Sequence, residues 1–396
     1  MIGTAHPSSG GTSCAPPTGK DWPADLDRWL APFTASLRHK TRGRMFAAYV
    51  AGLIAPGDRK SMQPMAARAG KVSYDQLHHF LTSAAWDAAA LEAVLLAQAN
   101  RLTGAHGSAW LVIADAALPK KGAHSVGVAP QYAAGLGRRV NCQTLISVGL
   151  AVGVTEIQLA LRLYLPASWT SQPERLDQAG VPENFRPYRD KVAIALSEID
   201  RVRAAGVRSK GVLIDAGFGL SLGLRRGLDA RDIPWAICIP TKPGDCPEDG
   251  ITLAMPLSHG PTSPVSAADP HRLLAAAVWQ TIGWRGADHR RKSARYTAMR
   301  VMMAGPRDEP PAEVWLIGEQ PTTGEPRYYL SNLPAHTSLK QFATLFKIRQ
   351  ANAAGHQQLR KDLGLEHFEG RSWAGLHRHC LMTIIAAAFL QAHDAG

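Results

Sequence analysis

Two carboxylates in this chain stand at the ends of apolar runs. In Leu111–Gly122, LVIADAALPKKG, the run Leu111-Val112-Ile113 leads through Ala114 to Asp115, and Lys120 and Lys121 follow. A short apolar run bounded by turn signals predicts a buried strand. A carboxylate at the end of such a strand stands at the sheet's edge, where ligands and metals are met. The two lysines suit a phosphate; a strand-end turn with solvated lysines is the alternative. A second stretch, Gly211-Val212-Leu213-Ile214-Asp215-Ala216-Gly217-Phe218-Gly219, ends in the same way. Its glycines allow a sharp turn and the close approach of a substrate. Two aspartates on two adjacent strands would make a two-point site for Mg²⁺ or Mn²⁺, which take oxygen ligands and keep waters for a substrate phosphate.

The surrounding pattern must position them. Residues from Asp21 to about Leu102 read as helical, with Leu30, Phe33 and Leu37, then Met45, Tyr49 and Leu53, at helical spacing. Within them, 60–68 and 73–81 predict two short helices around Gly70. That is the pattern of a DNA-reading helix-turn-helix and equally of a helical bundle. His78 and His79 are adjacent and face different sides, so they form no i, i+4 metal pair. Strands follow at Gln143–Val152 and Glu156–Leu165, which can pair as a hairpin around Gly153. A helix is expected at about 190–205, the Asp215 strand next, a helix at 221–230 and a strand at 235–240. That order predicts a mixed α/β sheet. Residues 241–270 are rich in Pro, Gly and Ser and lack periodicity, as an insertion would. Trp279 and Trp284 lie beside Arg285, His289, Arg290, Arg291, Lys292 and Arg295, a set that suits a phosphate backbone or a solvated strand edge. Strands at 313–318 and 327–330 precede a long helix at about 339–363 and an apolar helix at 376–392.

The chain of 396 residues is long enough for two or three domains, and its net charge is +12. A polyanionic partner is expected, nucleic acid before membrane surface; a basic enzyme without such a partner is the alternative. Cys14, Cys142, Cys238, Cys246 and Cys380 contain no CxxC pair, which argues against a disulfide framework and a zinc site. Reduced thiols and a cytoplasmic location are the simple reading. No apolar run of about 18 residues is seen, so no membrane span is expected. Residues 1–20 read as a disordered leader rather than a secretory signal.

The residues also carry a resemblance. GDRKSMQPMAAR (57–68), SYDQLHHFL (73–81), LPKKGAHSVGVAPQY (118–132), LRLYLPASW (161–169), LIDAGFG (213–219), YYLSNLP (328–334) and LGLEHFEGRSWAGLHRH (363–379) resemble DDE transposases of bacterial insertion sequences. The resemblance is specifically to the insertion-sequence family numbered seven hundred and one, related to the family numbered four. It covers about residues 21–390. It implies a ribonuclease-H-like mixed α/β core (106–240), an N-terminal helical DNA-binding domain (21–105), a β-rich insertion (241–334) and C-terminal helices completing the core (335–396). It implies three carboxylates holding two Mg²⁺ or Mn²⁺ ions for in-line phosphoryl transfer. It also implies a double-stranded DNA partner, a homodimer on paired DNA ends, and action at the nucleoid without a membrane. The first two acids fall on Asp115 and Asp215. Lys120, Lys121, Arg290, Arg291, Arg349, Arg360 and Arg371 are the implied DNA contacts.

The third acid departs. Relatives carry Tyr, Arg, Glu and Lys along the long C-terminal helix where this chain has Phe346, Arg349, Ala353 and Arg360, so the metal-binding Glu position is alanine. Two Asp and a Thr are replaced by Ala114, Asp115 and Ala116, and a Gly-Thr-Lys-Gly segment by Ala287-Asp288-His289-Arg290. Among substitutes, Asp362 is about 13 Å along a helix from Ala353, Glu366 and Glu369 are further, and Asp288 would approach from the insertion. The expectation is weak or absent cleavage with DNA binding kept. A catalytically silent DNA-binding protein, or a non-DNA enzyme using a cleft around Asp115, His124, Asp215 and His356, are the alternatives.

Overall fold

In a computed structural model, the described residues are 22–240 apart from 58, 71, 105–107 and 154, and 251–394 apart from 255–264, 268, 286–290 and 305–310. The helical N-terminal part comprises α1 (Trp22–Ser36), α2 (Lys40–Ile54), α3 (Met62–Ala69), α4 (Tyr74–Thr82) and α5 (Ala88–Leu102). Leu30, Phe33, Leu37, Met45, Tyr49 and Leu53 are all buried, as their spacing requires. Helix α3 stops at Gly70, whose φ of +61° closes the helix end. Helix α4 starts on a reciprocal capping box between Ser73 and Gln76. Both pack on α2. The exposed side of α4 presents Tyr74, Asp75, His78 and His79, with no Lys or Arg.

Next come β1 (Trp110–Pro119), β2 (Ala129–Ala133), β3 (Arg138–Val152), β4 (Thr155–Tyr164), the short helices α6 (Ala167–Thr170) and α7 (Pro173–Gln178), then α8 (Lys191–Ala204), β5 (Val212–Ile214), α9 (Leu222–Asp229) and β6 (Trp235–Ile239). Strands β3 and β4 form the expected hairpin, with Gly153 at φ +60°. Strand β1 pairs antiparallel with β3 and parallel with β5, and β5 pairs parallel with β6. The remainder holds β7 (Thr252–Ala254), β8 (Val265–Ser266), α10 (His271–Leu274), β9 (Gln280–Arg285), β10 (Arg291–Ala304), β11 (Ala312–Pro321), β12 (Arg327–Ser331), α11 (Leu339–Gln357) and α12 (Trp373–Asp394).

The β-rich segment after β6 does not build a sheet of its own. Strand β12 returns antiparallel to β6, and β11, β10, β7 and β8 extend outward from it, giving one mixed sheet in the order β2-β3-β1-β5-β6-β12-β11-β10-β7-β8. Strand β4 joins at β3 and β9 at β10. Two cores cover the two faces. Helices α8, α9, α12 and the N-terminal helices bury one face, over residues such as Leu111, Ile113, Ile199 and Leu224. Helix α11 buries the other, where Phe342 and Phe346 pack over Trp110, Val112, Leu213 and Tyr329.

The long helix expected at 339–363 ends as α-helix at Gln357 and passes into a π turn, Gln358–Asp362. Helix α12 corrects the expectation that no segment has the length and apolarity of a membrane span. By length and composition Trp373–His393 has them, and 83% of that stretch is buried inside the fold, as in a core helix.

Candidate active site

Asp115 does not end its strand as expected: it lies in the middle of β1, which stays paired with β3 as far as Pro119, and it is the pairing with β5 that stops before it, at Ile113. Asp215 follows Ile214, the last residue of β5, and its backbone N–H donates to the Ile113 carbonyl at 2.9 Å. The parallel register Ile113↔Ile214 therefore puts Asp215 one residue and Asp115 two residues beyond the last paired rung of adjacent strands. The glycine after them has a steric role. A Cβ on Gly217 would come within 2.5 Å of Asp115 Oδ1, so the turn after β5 closes over the Asp115 carboxylate only because Gly217 has no side chain.

Each aspartate holds its own cation. Lys191 Nζ, from the first residue of α8, donates to Asp115 Oδ2 at 2.5 Å. Arg349 Nε, from the middle of α11, donates to Asp215 Oδ1 at 2.9 Å. The two pairs come from helices on opposite faces of the sheet. Lys191 was not among the sequence candidates. Its signal was a lysine at the first position of a helix, behind the N-cap Asp190, where the helix dipole disfavours positive charge. Asp215 and Arg349 open into a cavity of about 400 Å³ whose other lining includes Tyr132, Gly217, Cys238 and Arg327.

Helix α11 is anchored by the Phe346 ring, stacked on Tyr329 with centroids 3.6 Å apart. One turn after Arg349, on the same helical face, Ala353 is exposed. Its neighbour Asn352 is buried and donates to Glu156 Oε1 of β4 at 2.7 Å. Burial pushes the Glu156 carboxyl up to about 8, opposed by its hydrogen bonds from Asn352 and Gln158. A Cβ on Gly149, which lies diagonally across on β3 opposite Gln158, would overlap this carboxyl, which explains the glycine there. One turn beyond Ala353, His356 has a buried Nε2 with no hydrogen-bond partner among the described residues. Burial pushes this imidazole down to about 4, against the pull of Asp215 and Asp115, whose charges both act on it.

The remaining sequence candidates are dispersed. Lys120 is drawn inward, donating to the Phe368 carbonyl at 2.9 Å. Arg360, in the π turn, pairs with Glu366, and Glu369 pairs with Arg59. These acids are therefore engaged with arginines of their own. Lys121, Arg291 and Arg371 are exposed. Arg371 lines a cavity of about 710 Å³ with His124, Trp169 and Arg175, and neither aspartate lines it, so His124 belongs to another place on the surface. Arg285 and Arg291 face each other across the β9–β10 pair. Beside them Trp284 carries the Lys347 ammonium 4.5 Å from its ring centre. Asp288, His289 and Arg290 lie outside the described residues.

The mixed sheet thus carries Asp115 and Asp215 on neighbouring parallel strands, each paired with a cation. The sequence model of the DDE superfamily endonucleases matches residues 32–291, and the chain belongs to that family. The match takes in Asp115 and Asp215 and ends before α11. A search of curated proteins finds no match. Family membership implies a divalent metal. The two carboxylates are oxygen donors of the kind such an ion takes. Among the described residues no three His, Cys, Asp or Glu side chains are gathered closely enough to hold an ion as they stand.

Proposed function

We propose that this chain is an insertion-sequence transposase of the family numbered seven hundred and one. It would bind double-stranded DNA ends as a homodimer in the bacterial cytoplasm, with strand cleavage impaired by the alanine at position 353. The observation that carries the reading is the pair Asp115 and Asp215 on adjacent parallel strands of a DDE superfamily endonuclease. A ribonuclease-H-like core is supported by the antiparallel run β4-β3-β1 continued by parallel β5 and β6.

Asp115 and Asp215 would hold Mg²⁺ or Mn²⁺. Such ions activate the attacking oxygen and stabilise the leaving one in phosphoryl transfer. The chain's own part is positional. Lys191 and Arg349 hold the carboxylates while no substrate is present, and both can turn a cationic head onto a phosphate. Gly217 lets the backbone pack directly on the Asp115 carboxylate. Ala353 supplies no oxygen, so one ligand of the family's set is missing.

The test is nicking of the gene's own flanking DNA in Mg²⁺ at low salt, comparing the chain with Ala353→Glu. The expected result is a gain of at least about tenfold in the variant, equivalent to about 1.4 kcal/mol of transition-state stabilisation. Equal, brisk cleavage by both proteins would show that position 353 is not the missing ligand. DNA bound but cut by neither would favour the second reading, a DNA-binding protein in a transposase fold, which the alanines at 114, 116 and 353 support.

A further inference from the structure

We infer that Arg327 is a phosphate-binding residue of the cavity beside Asp215, and that with Arg349 it forms a two-guanidinium clamp for one phosphodiester of the bound DNA. The inference rests on the DNA-cleaving reading above and goes beyond it by naming a contact outside the set that the resemblance implies.

The sheet topology brings Arg327 to the site. Strand β12 runs antiparallel to β6, with Tyr328 opposite Ile239 and Tyr329 opposite Cys238. Arg327, the first residue of β12, therefore stands beside the C-terminal end of β6. Strands β5 and β6 are parallel, and Asp215 follows the last residue of β5, so Arg327 and Asp215 lie at the same end of the sheet. Both line the cavity of about 400 Å³, and so does Arg349, whose Nε donates to Asp215 Oδ1 at 2.9 Å. One guanidinium thus reaches the cavity from the sheet and the other from helix α11.

Arg327 is held in place without being fully engaged. Its ion pair is with Glu319 Oε2, the residue opposite it in the β11–β12 register, at 3.6 Å, which is beyond hydrogen-bonding distance. Glu319 is buried, and its two carboxylate oxygens accept hydrogen bonds from the Tyr296 and Tyr329 hydroxyls at 3.1 and 3.0 Å. The tyrosines satisfy the carboxylate, and Arg327 supplies the opposite charge that a buried anion needs. The Arg327 side chain remains 34% exposed. Its planar fork of five donors fits a phosphate. Tyr329 ties the seats of the two arginines together. Its hydroxyl holds Glu319, and its ring stacks on Phe346, three residues before Arg349 on α11.

The charges suit an anion once the site is loaded. In the cavity wall Arg327 and Arg349 are balanced by Asp215 and the exposed Glu325. A divalent cation on Asp215 would turn that balance positive, and a positively charged concave surface draws a polyanion.

The experiment measures binding of the full chain to the gene's own flanking DNA in Mn²⁺, over a salt series and with a neutral methylphosphonate placed at one phosphate at a time. The parent chain, Arg327→Ala, Arg327→Ala/Glu319→Gln and Arg349→Ala are compared, with circular dichroism as the folding control. The double variant removes the buried charge that Arg327→Ala alone would strand, so it reads the contact even if the single variant folds poorly. The expected result is a salt slope reduced by about 0.9 in the Arg327 variants. One methylphosphonate position that weakens the parent should no longer weaken them. Arg349→Ala should lose its sensitivity at the same phosphate or the adjacent one. If every methylphosphonate that weakens the parent weakens the folded Arg327 variants equally, Arg327 serves Glu319 alone; the inference is then overturned and the DNA reading stands. Widely separated phosphates for Arg327 and Arg349 would overturn the shared clamp. A flat salt response of the parent, with no sensitive phosphate, would overturn both the inference and the DNA reading.

Discussion

At the scale of single residues, the site is a contest between fixed cations and any incoming one. The Asp115 side chain is only 10% exposed and that of Lys191 27%, so this pair is screened less than a surface salt bridge. Removing one partner of a buried pair strands the other charge. Lys191→Met should therefore lower stability, by roughly 1–3 kcal/mol once partial exposure is allowed for. It should also leave Asp115 without its competitor. Added Mn²⁺ is then expected to raise the melting temperature of the variant by more than that of the parent, as a ligand specific to the folded state must. An equal or smaller shift in the variant, read by thermal unfolding with and without Mn²⁺, would mean that Lys191 does not compete for the metal oxygens. Asp115 and Asp215 were legible because each ends an apolar run. Lys191, Arg349's bond to Asp215 and the buried nitrogen of His356 were not, because such contacts join elements that only the tertiary fold brings together.

At the scale of elements, helix α11 is the part that decides whether the site is assembled. It is fastened at one end by Phe346 against Tyr329 and further along by Asn352 against Glu156 of β4. The second fastening depends on pH. Glu156 has its ionisation raised from 4.5 to about 8 by burial. The fold thus holds a proton that the unfolded chain releases. The stability this group contributes is present in full below its unfolded value and is lost as pH rises through about 8. Glu156→Gln keeps the shape and the neutral state. It should be the more stable protein at about pH 9, by up to a few kcal/mol, with the advantage shrinking steadily towards about pH 4. Denaturant midpoints measured across that range would check it; parallel curves for parent and variant would show that Glu156 is not neutral in the fold. The helices α1 to α4 and the β3–β4 hairpin were readable from periodicity, Gly70 and Gly153. The return of β12 to β6 was not, because alternation tells which residues are buried but not which strand they pair with. Here the pairing is specified by contacts such as the Trp235 N–H donating to Asn332 Oδ1 at 2.7 Å.

At the scale of the whole molecule, a net charge of +12 has to be divided between charges that hold the fold and charges that can meet a polyanion. The seven positions implied as DNA contacts do not contribute alike. Lys120 donates to the Phe368 carbonyl, Arg349 to Asp215 and Arg360 to Glu366. Lys121, Arg291 and Arg371 are exposed, and Arg290 lies outside the described residues. Each phosphate contact on duplex DNA contributes about 0.9 to the slope of log affinity against log salt. The three exposed residues would give a slope near −2.7, whereas all seven would give about −6.3. The expected measurement is a shallow slope for DNA lacking the element ends. On end-containing DNA with Mn²⁺ the slope should steepen, as Arg349 and Lys191 leave their aspartates for phosphates. Arg291→Ala and Arg371→Ala should each reduce the slope by about 0.9 on both DNAs. Arg349→Ala should reduce it only where Mn²⁺ and the ends are present. If Arg349→Ala lowers the slope equally without metal, Arg349 meets phosphate directly and its bond to Asp215 is no gate. If the slope is flat on every DNA, the positive charge serves the fold rather than a nucleic acid, and the transposase reading loses its electrostatic support.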